Sequence, residues 1–189
     1  MTAEEFVVWH EGQDRRYELV DGYPIEMMVG ARHTHNVVTA NIVMALGPQT
    51  RGKSCHTTSS DTAVRTAVDQ VRYPDIVVNC VPNVTGTLIP DAPTLVAEIA
   101  SPSTREFDAV EKVDEYRNVA SLRHILLVEP EAVHVRAFVR DEAGSWTMHR
   151  HTDLDDVLDL AAIGAHLGLR DIYEGINAQP FSTVQPIAR

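Results

Sequence analysis

The sequence predicts an α/β fold: a mixed β-sheet flanked by helices, with a hairpin added near each end. Three observations predict it. Apolar runs at 72–80, 94–100 and 123–128 have the length and composition of strands covered on both faces. Stretches with helical periodicity alternate with them. Asp21-Gly22 separates two short β-prone stretches, the pattern of a tight primed turn.

The elements follow in order. A first helix is expected from Thr2 to about His10, because Thr2 and Glu5 form a capping-box pattern and Phe6 and Trp9 can point inward. The hairpin around Asp21-Gly22 joins 17–20 to 23–28; alternation puts Tyr17 and Leu19 on one face and Glu18 and Val20 on the other. A second helix runs from Arg32 to about Leu46, with Val38, Ile42, Ala45 and Leu46 as its apolar stripe and Gly47-Pro48 as its stop. Strands follow at 54–66, 72–80 and 94–100, with a Pro-, Asn-, Thr- and Gly-rich loop at 81–93. Ser103 and Glu106 open a third helix that reaches about Val119. It turns Phe107, Val110 and Val113 inward and sets Asp108, Lys112 and Tyr116 on another stripe. A buried strand at 123–128 precedes a second hairpin, 133–139 with 146–151. Residues 153–176 read as a helical or mixed segment, with a short last helix near 170–175, and 177–189 as a loose tail beyond a single domain at 1–176.

Bulk properties narrow the function. A net charge of −11 argues against a broad basic surface. No apolar run approaches the ~20 residues of a membrane span, and the acidic start has no charged-then-apolar leader, so a cytoplasmic protein is expected. Cys55 and Cys80 lack metal-like spacing and read as buried reduced thiols.

Glu98 is the residue that demands explanation. A carboxylate inside a buried strand needs a hydrogen-bonding partner, a cation or a metal. Pro74-Asp75 opens the preceding apolar strand, and Lys112 lies on the helix that packs back after Glu98. Two strand acids and a lysine are the parts of a metal-dependent phosphodiesterase site. Carboxylates hold the ion, the ion neutralises phosphate and activates water, and the lysine assists. The carbonyl of Ile99 is a candidate third oxygen ligand.

These segments resemble the PD-(D/E)XK nuclease superfamily, and within it the Uma-type family labelled as restriction endonucleases. The resemblance rests on Tyr17-Glu18-Leu19-Val20-Asp21-Gly22, Arg72-Tyr73-Pro74-Asp75-Ile76-Val77-Val78 and 96–104. Asp108 to Lys112 with Tyr116, and Leu127-Val128-Glu129-Pro130, follow in the same order. It implies a restriction-endonuclease-like fold, Asp75 and Glu98 as ligands of Mg²⁺ (with Mn²⁺ as substitute), and DNA as substrate. It further implies that Lys112 replaces the lysine expected at position 100, where this chain has Ala, that Glu18 is an additional acid, and that His35 matches a family histidine.

Structural explanations stand beside these roles. Asp75 alone would be a turn residue. Glu98 could be ion-paired to Lys112 or Arg105, Glu18 could face water, and His35 could be a core histidine. Glu111, Asp114 and Glu115 read as a hydrated helix face. The reading is an Mg²⁺-dependent endonuclease; the alternative is an inactive nuclease-fold protein used in binding or assembly. Hairpin edges at both ends suit a homodimer.

Overall fold

The computed structural model describes residues 1–27, 32–82, 86, 88–90, 92–100 and 107–181, with 107–110 described by backbone only. Helix α1 (Ala3–His10) begins as expected. Glu5 N–H donates to Thr2 Oγ1 at 3.3 Å and Thr2 N–H to Glu5 Oε2 at 2.8 Å. Strands β1 (Tyr17–Val20) and β2 (Tyr23–Glu26) flank Asp21 and Gly22. Both turn residues have positive φ, 49° and 79°, the geometry of a primed hairpin turn.

Helix α2 (His33–Thr50) runs past its expected stop. Pro48 removes one backbone donor, but Gly47 has no Cβ to clash with the proline ring. Side chains then bond the carbonyls of the last turns: Thr50 Oγ1 donates to Leu46 O (3.1 Å) and Gln49 Nε2 to Ala45 O (2.9 Å).

Each of the next two expected strands is in fact two. The first is β3 (His56–Ser59) and β4 (Val64–Ala67), broken where Ser60 and Asp61 take positive φ. The second is β5 (Gln70–Arg72) and β6 (Ile76–Asn79), broken at Tyr73-Pro74-Asp75, where proline offers no ladder N–H. These breaks pass the chain from a central sheet to a small one and back. Strand β7 (Pro93–Ile99) leads to helix α3 (Phe107–Arg117) and strand β8 (His124–Glu129). The expected cap at Ser103 and Glu106, and the side chains of Phe107, Asp108 and Val110, lie outside the described residues. Strands β9 (Ala132–Arg140) and β10 (Trp146–His151) form the second hairpin. Then come β11 (Val157–Leu160), β12 (Ala165–Gly168), α4 (Leu169–Ile172) and β13 (Gln179–Pro180). The last corrects the expected loose tail, because Gln179 and Pro180 pair in parallel with Ala132 and Val133.

The central sheet has the order β10-β9-β8-β7-β6-β3, with β7 and β8 parallel through the α3 crossover. The small sheet has the order β2-β1-β5-β4, so the first hairpin is half of a second layer. Period-two alternation divides the central strands. Leu95, Ala97 and Ile99 join Leu126 and Val128 beneath Val38, Ile42 and Leu46 of α2. Val96, Ile125 and Leu127 pack against Val113 and Tyr116 of α3. Glu98 therefore falls on the α3 side. Phe6, Leu19 and Val71 join α1 to the small sheet.

Cys55 and Cys80 are a disulfide rather than free thiols. The register that sets His56 opposite Asn79 brings them together one step further on, a relation that spacing in the sequence does not disclose. The expectation of a cytoplasmic protein loses the support that reduced cysteines lent it. Among the described residues no helix is long and apolar enough to cross a membrane.

Candidate active site

In the β6–β7 ladder Ile76 stands opposite Ala97. One step on, at the end of the sheet, Asp75 lies beside Glu98. Ile99 N–H donates to Asp75 Oδ2 at 2.8 Å, so the proline-led break before β6 has turned this carboxylate back onto β7. The other oxygen, Oδ1, is 3.3 Å from His35 Nε2 in the first turn of α2. That contact raises the histidine's pKa, with burial opposing it. His35 Nδ1 is buried with no hydrogen-bond partner among the described residues. Ile99 thus reaches the site through its N–H.

Glu98 reaches the same place from the α3 side. Tyr116, fully buried, donates its hydroxyl to Oε1 at 2.6 Å. Lys112 Nζ is 3.7 Å from the same oxygen. No described residue donates a hydrogen bond to Oε2. Burial pushes the Glu98 carboxyl up to about 7, with Asp75 and Glu18 adding to the rise and Lys112 and Tyr116 opposing it. Lys112 and Tyr116 are one helical turn apart on α3, as their spacing requires. The Asp108 side chain and Arg105 lie outside the described residues.

Glu18 joins from the small sheet. It is buried, not facing water: Lys112 Nζ (3.1 Å) and Tyr73 N–H (3.3 Å) donate to Oε1, and Arg72 Nη1 (2.9 Å) to Oε2. Arg72 also makes a two-point contact with Glu115, Nε to Oε2 at 2.8 Å and Nη2 to Oε1 at 2.5 Å. Burial alone would lower the arginine's pKa, but the two glutamates outweigh it and raise it. Glu115 is accordingly not part of a hydrated helix face. Sequence reasoning missed both partners. The signal was Arg72 itself, a charge at a strand position that has to be balanced by an acid when buried.

The structure thus brings Glu18, His35, Asp75, Glu98 and Lys112 together from two sheets and two helices. Among the described residues no group of three or more His, Cys, Asp or Glu side chains is placed to hold a metal ion. The donors that Asp75 and Glu98 offer are carboxylate oxygens, which suit a hard cation that keeps most of its water rather than a zinc-type site.

The chain is similar to known proteins in sequence and fold. A family model, Uma2, described as "Putative restriction endonuclease", matches residues 3–170. An "Uncharacterized protein slr1290" of Synechocystis sp. is 28% identical over 179 residues, covering 93% of each chain. A crystal structure from Anabaena variabilis, titled a putative nuclease belonging to DUF820, superposes with a TM-score of 0.72. The superposition covers 91% of this chain and 97% of that one at 16% identity, and shows a shared fold.

Proposed function

The chain belongs to the Uma2 family, and on that footing we propose that it is a metal-dependent nuclease that hydrolyses DNA phosphodiester bonds. One observation supports this above the others. Asp75, Glu98 and Lys112, far apart in sequence, share one sheet end, where Glu98 Oε1 is 3.7 Å from Lys112 and Asp75 is fixed by the N–H of the residue after Glu98. Asp75 and Glu98 would hold Mg²⁺ or Mn²⁺. The ion supplies charge neutralisation at the phosphate and a water of lowered pKa.

The chain's own residues do the rest. The Ile99 N–H and His35 orient Asp75, while Tyr116 fixes one oxygen of Glu98. Lys112, anchored at 3.1 Å by Glu18, places a positive charge beside the acids, where a phosphoryl oxygen gains negative charge during cleavage. The Lys112 position answers the absence of a lysine at Ala100, two residues after Glu98.

A second reading has its own support. Glu98 already has Lys112 and Tyr116 beside it, the contacts expected of a nuclease fold retained for binding or assembly. Calorimetric titration with Mn²⁺ separates the two, since only the nuclease reading requires metal uptake. Asp75→Ala and Glu98→Gln are each expected to lower metal-dependent plasmid nicking by about a thousandfold, from the loss of several kcal/mol of charge stabilisation. Circular dichroism is expected to be unchanged. Nicking that persists in both variants would remove the assignment.

A further inference from the structure

The rows of the central sheet continue away from the acids toward β10. In the ladder registers Glu98 pairs with Leu127, Leu127 with Arg136, and Arg136 with Arg150. Paired residues share a face, and the α3 face is the one that Glu98 and Leu127 occupy. Arg136 and Arg150 therefore stand in line with Glu98, on the part of that face beyond Leu127. At about 4.8 Å per strand, Arg136 lies two steps and Arg150 three steps from the acid, roughly 10 and 14 Å. Arg150 is exposed and Arg136 half-buried.

Two arginines directly opposite one another across a ladder repel. Among the described residues, neither forms an ion pair with a carboxylate. Glu129, in the neighbouring row, is opposite His134 rather than either arginine. The flank beside them is built, not loose. Phe181, just past β13, packs on the His134 ring with centroids 3.9 Å apart, and the Arg150 guanidinium lies 5.9 Å above the same phenyl ring. Burial first, then Arg136 and Arg150, hold the His134 imidazole down at about 4, so it stays neutral between the two cations. In a chain of net charge −11, two arginines set opposite one another with no acid partner among the described residues are a place prepared for an outside anion.

We propose that Arg136 and Arg150 bind the phosphodiester backbone of the DNA strand that enters the Asp75–Glu98 site. This rests on the nuclease reading for the direction of the strand but not for the binding itself. Phosphates rise ~3.4 Å apiece along one strand, so the row from Glu98 to Arg150 is long enough for several successive phosphates. The cleaved phosphate lies at the acids and its neighbours lie over the arginines.

The test is fluorescence anisotropy with short fluorescein-labelled DNA, duplex and single-stranded, in EDTA so that nothing is cut. R136A/R150A is expected to weaken binding by roughly tenfold at moderate salt and to reduce the log–log salt slope by roughly 2, one for each lost phosphate contact. R136K/R150K should restore most of the slope, because lysine retains the charge. E98Q should bind as wild type or better while failing to nick. Melting temperatures of the arginine variants should hold or rise, since like-charge repulsion is removed. Affinity and slope unchanged in R136A/R150A and in R136E/R150E would overturn the proposal, whether or not nicking persists. So would a wild-type protein that binds neither DNA at low salt. Wild type that binds through these arginines yet does not nick would uphold the surface and defeat the nuclease reading alone.

Discussion

Two groups of acids, one buried and one half-buried, lie side by side in this molecule and are treated differently. Glu18 and Glu115 close on Arg72, and each of their four oxygens accepts a hydrogen bond; Thr66 adds a further one to Glu115 Oε2 at 3.2 Å. Among the described residues no guanidinium lies between Asp75 and Glu98. Their donors are a backbone N–H, a histidine and a tyrosine hydroxyl, with Lys112 at the margin, and burial pushes Glu98 up to about 7. The first group is balanced by the fold. The second is the pair to which the proposed function assigns a divalent cation. Lys112 touches both, 3.1 Å from Glu18 and 3.7 Å from Glu98, so the balanced group holds the working cation of the other in place.

The largest effect should come from breaking the balanced group. Arg72→Met removes the one cation shared by two buried carboxylates and is expected to cost about 3–5 kcal/mol of stability in denaturant titration. Glu98→Gln, of nearly equal volume, removes a charge that Asp75 and Glu18 oppose, so its stability should be unchanged or higher even as nicking is lost. Equal destabilisation by the two variants would erase the distinction between a structural and a functional group of acids.

The sequence disclosed one group better than the other for a physical reason. Glu98 stood out because a lone acid in an apolar strand has no ordinary excuse, and Asp75 because it leads the neighbouring strand. Helical spacing then placed Lys112 and Tyr116 on one face. Glu18, Arg72 and Glu115 needed contacts between residues 43 to 54 positions apart, across two sheets and a helix, and no local period encodes that. The same limit explains the disulfide, which depends on strand register, and the paired tail, which depends on where β10 leaves β9 uncovered. The divided strands were hidden differently. Ser60 and Asp61 sit inside a run read as one strand, and their positive φ reveals the turn. Element type and order were legible up to the second hairpin; the second sheet was not, nor were the strands Val157–Leu160 and Ala165–Gly168, in a segment that read as helical or mixed.

A smaller change sharpens the comparison from inside the second group. Tyr116→Phe keeps the buried ring and removes the hydroxyl that fixes Glu98 Oε1 at 2.6 Å. Outer-shell partners of this kind are worth roughly 10–100-fold in metal affinity. Calorimetry should therefore show weaker Mn²⁺ binding by about that factor, with stability reduced by only ~1 kcal/mol. Unaltered Mn²⁺ affinity would mean that Glu98 needs no orientation from α3.

The smallest effect lies away from both groups. His124 is 2% exposed on β8, and neither ring nitrogen has a hydrogen-bond partner among the described residues. Burial lowers its pKa below 6.5, with Asp159 opposing weakly. The sign follows from linkage: the unfolded imidazole takes up a proton first as pH falls through 6.5, so the folded state loses stability from there downward until the buried ring also protonates. Above 6.5 both states are neutral and the effect vanishes. His124→Phe should flatten this acid limb without moving stability at pH 8, whereas Arg72→Met should lower the curve at both ends. A wild-type stability curve that is level from pH 7 to pH 5 would show that His124 finds a proton acceptor in solution, and the acid limb would then belong to the carboxylates alone.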